Sequence, residues 1–168
     1  MEKEKSNLMP KWLVISFISL GLLGFFDASY LTFTHYQNIN LVCLGGESCD
    51  KVTASVYSSV GQIPVALLGA LYYAVIISLS AAYLWFSRKK YVAGSSAWRD
   101  FMANLLPRFT ILGLLASAWF VYLQLFVIKE ICVYCMGSAL TSAMLFILGI
   151  LAIQREKKME IGEETAPI

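Results

Sequence analysis

Four stretches of about 20 or more apolar, almost uncharged residues constrain this chain most. They run over 12–35, 63–86, 109–128 and 131–153. Each is long enough, at about 1.5 Å per residue, to cross a hydrocarbon layer of about 30 Å. The composition agrees: 58% of the 168 residues are hydrophobic and 14% charged, with a mean hydropathy of +0.67. That is too apolar for an ordinary soluble domain, and the length suits a single domain. The expected fold is all-α, an integral membrane four-helix bundle. The first stretch is not a cleavable signal peptide, because it is too long, lacks an Ala-x-Ala site and is followed by further spans. The net charge of +2 sits in short flanks between spans and argues against DNA binding.

Charge placement gives an orientation. Three cations precede the first span (Lys3, Lys5, Lys11), and five separate the second and third (Arg88, Lys89, Lys90, Arg99, Arg108). Three more follow the fourth (Arg155, Lys157, Lys158), leaving only Lys51 and Lys129 in the other two loops. Positive charge accumulates in cytoplasmic loops, so both termini are expected inside. The chain then divides into a leader over 1–11, a transmembrane domain over 12–153 and a cytoplasmic tail over 154–168. Within the domain, 36–62 is the outer loop and 87–108 the cytoplasmic one, with no catalytic constellation in the latter. The tail is expected to be helical for no more than a turn or two.

All four cysteines fall on the outer side or at its edge, where disulfides form and persist. Cys132-Val-Tyr-Cys135 places two sulfurs one helical turn apart at the mouth of the fourth span. Unpaired N–H groups at a helix start favour the thiolate, the reactive form. Below it, Cys132, Cys135, Ala139 and Ser142 fall near one face. The second pair, Cys43 and Cys49, brackets Gly45-Gly46, which can turn tightly enough to bring the sulfurs together. Beyond it, Val52, Val56 and Tyr57 outline a short amphipathic helix lying at the interface. Gly61 ends that helix, and Pro64 sits where the next one starts.

Other residues invite attention. Asp27 lies in the first span, where a carboxylate is expensive. It either snorkels toward interfacial water, hydrogen-bonds to a neighbouring helix or handles protons; His35, the one histidine, is either a polar loop residue or a second candidate for proton handling. Trp119, Tyr122, Leu123 and Phe126 form a stripe that either packs helices or walls a pocket for a flat ring.

Three uses of the cysteines compete. They could be fixed structural bridges, although a helix start is a poor place for one. They could bind metal, although the spacings of the two pairs do not match and the outer compartment oxidises thiols. They could be two exchanging pairs, one mobile and one fixed at the hydrocarbon edge, relaying electrons between a soluble thiol protein and a lipid-soluble acceptor.

The residues resemble the vitamin K epoxide reductase family in its bacterial and archaeal form. The matching pieces are Asp27-Ala-Ser-Tyr-Leu-Thr32, Cys43-x5-Cys49-Asp50, Ser55-x-Tyr57-Ser58, the run from Gly61 to Tyr73 and Cys132-Val-Tyr-Cys135. Together they cover nearly the whole membrane part. The resemblance implies a bundle enclosing a quinone, ubiquinone or menaquinone (vitamin K), beneath the outer loop and its short helix. It implies that Cys43 and Cys49 shuttle electrons from a thioredoxin-like, DsbA-like partner, that Cys49 passes them to Cys132, and that Cys135 faces the ring. Ser55 matches a family hydroxyl near the sulfurs and ring, a candidate hydrogen-bond donor. Tyr57, Ala66 and Ala139 are further candidate cofactor contacts, alongside Trp119, Tyr122 and Phe126 of the stripe.

Two departures narrow the expectation. Vertebrate members carry a Tyr where this chain has Ala139, and an Asn where the best alignment gives Val65. Quinone reduction is therefore favoured over epoxide reduction. Many relatives fuse a thioredoxin-like domain after the last helix; no further Cys-x-x-Cys follows here, so a separate partner protein is expected. The resulting expectation is a membrane thiol-disulfide oxidoreductase supporting disulfide formation in extracytoplasmic proteins, in the plasma or inner membrane. A quinone epoxide reductase is the alternative, and a non-catalytic scaffold with structural disulfides the alternative of another class.

Overall fold

The computed structural model describes residues 9–37, 52, 55–61, 63–88 and 95–164. Four long helices carry the fold: α1 (Lys11–Gln37), α2 (Val65–Arg88), α3 (Ser95–Tyr122) and α4 (Val133–Glu164). All four contain a segment long and apolar enough to cross a membrane, as the sequence predicts. Large apolar side chains also point outward along every helix, among them Leu23, Leu71, Leu115 and Ile147. A helix apolar on all sides is built for a surrounding as apolar as its own core.

The helices form a ring. α1 packs on α2 and α4, and α3 packs on the same two. Close approach of α1 and α2 depends on Gly24, where a Cβ would collide with the ring of Tyr73. The larger core, built on Leu13, Phe17, Ile76, Tyr83, Leu106 and Leu145, fills the bundle from its middle to the end away from the cysteines. A smaller cluster of Leu31, Val52 and Cys132 closes the cysteine end, with Ala66, Ile128, Tyr134 and Cys135 packed around it.

The helix ends differ from expectation in three places. The segment 87–108, expected as a loop, is helical from Ser95 onward. Arg99, Asp100 and Arg108 stop the apolar stretch without stopping the helix, because charge marks where hydrocarbon ends and backbone hydrogen bonding continues past it. For the same reason α4 runs to Glu164 through the charged tail. At the cysteine end, Val52 is α-helical and a 3-10 turn, Val56–Ser58, follows it; the rest of the short interfacial helix expected there falls on residues 50, 51, 53 and 54, outside the described residues. After it come two short strands, β1 (Ser59–Val60) and β2 (Ile63–Pro64), paired antiparallel with Ser59 opposite Pro64. Gly61 makes the turn at φ +67°, a backbone conformation natural to glycine. Pro64 belongs to β2, one residue before α2 begins.

Candidate active site

α3 ends in a π-helical segment, Leu123–Ile128, and the chain then turns through Lys129 in the left-handed region at φ 58°. π segments are uncommon and recur at functional sites. This one rotates Gln124 inward, to only 2% exposure. Its Oε1 accepts a hydrogen bond from the backbone N–H of Cys132 at 2.9 Å.

Cys132 occupies the N-cap position of α4. Its carbonyl accepts the first helical hydrogen bond, from Met136 N at 3.0 Å. Its sulfur takes the place a capping oxygen would have, facing the N–H groups of Tyr134 and Cys135. The Cys135 thiol also hydrogen-bonds to it. That bond is the strongest influence on Cys132, and together with the two N–H groups it outweighs burial and the nearby Asp27 carboxylate. The Cys132 thiol is thereby held below the usual thiol range. The side chain is fully buried at 0% exposure, covered by Val52 and Leu31.

Cys135 lies one turn further and faces a cavity of about 410 Å³ inside the bundle. Every helix gives one face to it at helical spacing: Ala28, Leu31 and His35 from α1, and Val65, Ala66, Gly69 and Tyr72 from α2. α3 contributes Phe109 through Phe120 at spacings of three and four, and Leu123 and Gln124 continue that wall. α4 gives Cys135, Ser138, Ala139 and Ser142. The lining is apolar apart from a few placed polar groups, the usual character of a site for a flat organic ligand. Beneath Cys135, the Tyr73 hydroxyl lies 2.8–3.0 Å from the hydroxyls of Ser138, Thr141 and Ser142 and donates to the Ser138 carbonyl at 2.9 Å. This knot fixes the first turns of α4 against α2.

The structure distributes the sequence candidates unevenly. Ser55, Tyr57, Ala66, Ala139, His35 and Cys135 all line the cavity. The Ser55 hydroxyl, expected as a donor toward the sulfurs and ring, instead donates to the Val52 carbonyl at 2.7 Å, closing a local turn. Trp119, Tyr122 and Phe126 do not line the cavity at all. They stack on one another, ring centroids 5.9 and 5.2 Å apart, and are 58%, 49% and 66% exposed on the outside of α3. Their spacing does place them on one face, but it is the wrong face for a ring pocket; only Leu123 of the stripe turns inward. Asp27 sits beside the Cys132–Tyr134–Cys135 turn, where its charge acts on all three residues, and its Oδ2 is buried with no hydrogen-bond partner among the described residues. Cys43 and Cys49 lie outside the described residues.

Gln124 was not among the candidates. The available signal was its being the one carboxamide in the third apolar stretch, since a polar group inside a membrane span marks function by default.

The sequence that builds this four-helix bundle, with a dithiol capping α4 above an apolar cavity, matches a known family. The model of the vitamin K epoxide reductase family matches residues 15–150. The chain belongs to that family. It is also similar to a thiol-disulfide oxidoreductase, LTO1, of Arabidopsis thaliana, at 27% identity over 142 residues. The match covers 80% of this chain and 35% of the relative, so the chain spans about a third of that protein's length. Family and relative together support a redox function for this membrane protein.

Proposed function

We propose that this protein carries electrons from a thioredoxin-like thiol oxidase, through two cysteine pairs, to a quinone in the membrane. The observation that carries the reading is the division of labour within Cys132-x-x-Cys135. Cys132 is buried beneath Val52 and held toward the thiolate, whereas Cys135 faces the cavity. One sulfur is built for exchange on the loop side and the other for delivery on the cavity side.

The steps balance in thiols. A reduced partner attacks the Cys43–Cys49 disulfide and leaves oxidised, with the pair now a dithiol. The Cys49 thiolate attacks Cys132 in the Cys132–Cys135 disulfide, and Cys135 departs as the thiol. Val52 is three residues from Cys49 in sequence, a reach of at most about 11 Å. Closing of the mixed disulfide by Cys43 leaves Cys132 and Cys135 reduced. When they re-form their own disulfide, two electrons and two protons leave the pair toward the cavity. A quinone bound there supplies the two-electron sink, oxidising enough to regenerate a disulfide donor near −120 mV. The apolar walls and volume fit such a ring, with Cys135 as the reacting wall. Asp27, beside both sulfurs, is the carboxylate placed to carry a proton from Cys132, and His35 lies at the cavity's cysteine end.

Val65 and Ala139 both line the cavity as apolar side chains, which favours plain quinone reduction over epoxide opening. The excess of positive charge at the other end of the bundle supports reading the cysteine end as extracytoplasmic and both termini as cytoplasmic, in a plasma or inner membrane. Thiol trapping in quinone-depleted membranes tests the relay. All four cysteines are expected to accumulate reduced and to reoxidise on adding quinone. Cysteines that stay oxidised throughout would mean fixed bridges, and the relay would be withdrawn.

A further inference from the structure

Gln124 is a buried carboxamide of which one half is used and the other is not. Its Oε1 accepts from Cys132 N–H at 2.9 Å, and no other hydrogen bond of Gln124 is present among the described residues. The side chain lines the same cavity as Cys135. With the oxygen engaged at Cys132, the NH₂ end is the part left to face that space. That NH₂ end is not one of the fully buried polar atoms left without a partner, so it can be reached from the cavity, where a ligand with an acceptor would satisfy it. Another polar group lining the cavity without a partner among the described residues, the buried Tyr72 hydroxyl, lies on α2 beside Phe109 and Gly113. From α2, Val65 and Ala66 offer the cavity apolar side chains, and the Ser55 hydroxyl is committed to Val52. The π segment then has a purpose: it turns a polar side chain into an apolar wall exactly where α3 passes the start of α4.

Resting on the quinone reading above, we infer that the Gln124 carboxamide donates a hydrogen bond to one quinone carbonyl while holding the Cys132 backbone, so that one side chain registers the ring against the dithiol. The carbonyl it contacts is the one whose oxygen accumulates charge as electrons arrive, and a neutral donor there stabilises that charge without adding a competing acid. The other carbonyl has no such donor from this side chain. The two carbonyls of a symmetric ring therefore become inequivalent on binding.

The test uses the full chain in detergent or nanodiscs with tetramethyl-1,4-benzoquinone, whose carbonyls are identical in solution, and follows the carbonyl stretch by difference infrared spectroscopy. In the wild type the band is expected to split, with one component moved to lower frequency. In Gln124→Leu and Gln124→Met, checked for native helicity, the split is expected to collapse and affinity to fall about tenfold, the factor of one ordinary hydrogen bond. A split that survives in either folded variant overturns the assignment of Gln124 while leaving the quinone site intact. A single unsplit band from wild-type protein with quinone bound overturns it as well, even should neither variant fold. Wild type that binds no quinone at all removes the quinone reading itself, and with it this inference.

Discussion

The chemistry at the residue scale turns on how unlike the two sulfurs of one motif are. Cys132 gathers hydrogen bonds at a helix start, and Cys135 spends its thiol on Cys132 while facing the cavity. A membrane-permeant alkylating reagent applied to reduced protein is expected to modify Cys132 with a midpoint below that of an ordinary thiol, losing rate as pH falls through it and the thiolate is protonated. Cys135→Ala removes the largest influence that lowers it, so the midpoint is expected to rise toward the ordinary 9.0. Asp27→Asn acts in the opposite direction, because the carboxylate's charge raises the Cys132 value, and the midpoint is expected to fall. A midpoint unmoved by both substitutions would contradict this account of the N-cap. The Cys-x-x-Cys and its place at a helix start were legible in the sequence. Gln124 was passed over, because its role depends on a π segment that no local spacing announces.

For single elements, helical periodicity was reliable about which residues share a face and silent about where the face points. Trp119, Tyr122 and Phe126 do form a stacked stripe, but on the outside of α3. In a soluble protein the apolar face is the inner one; in a membrane span both faces are apolar, and that inference fails. Glycines mark where the helices approach closely. Gly113 lies where a Cβ would collide with the Tyr72 hydroxyl, just as Gly24 accommodates Tyr73. Gly24→Ala and Gly113→Ala are each expected to cost about 1–3 kcal/mol through overpacking, read as a lower thermal midpoint in detergent. Tyr73→Phe leaves that space filled but removes the hydroxyl shared by Ser138, Thr141 and Ser142. It is expected to cost about 1–3 kcal/mol and to loosen the turn carrying Cys135.

Across the whole molecule, the four spans and their bundle followed from hydropathy and length, whereas the helix ends did not. The apolar stretches mark hydrocarbon, and α3 and α4 continue beyond it because their charged ends are still good helix formers. The cavity was not legible either. It emerges only when four faces, each ordinary alone, are set around one axis with Cys135 at the rim. Filling it would separate the two halves of the proposed relay. Ala139→Phe projects a ring into the cavity one turn below Cys135 and is expected to abolish quinone reduction while leaving Cys132–Cys135 reducible by a small dithiol. A variant that reduced quinone normally would place the ring elsewhere.

The central claim is delivery of electrons by Cys135 into this cavity. Its most direct test is a single turnover: pre-reduced protein mixed with a soluble quinone, with quinone absorbance followed in wild type, Cys135→Ala and Trp119→Leu. The account predicts loss of two quinones per protein, one for each reduced cysteine pair, in wild type and in Trp119→Leu, whose side chain lies outside the bundle, and none in Cys135→Ala. Quinone loss at the wild-type rate in Cys135→Ala would contradict it.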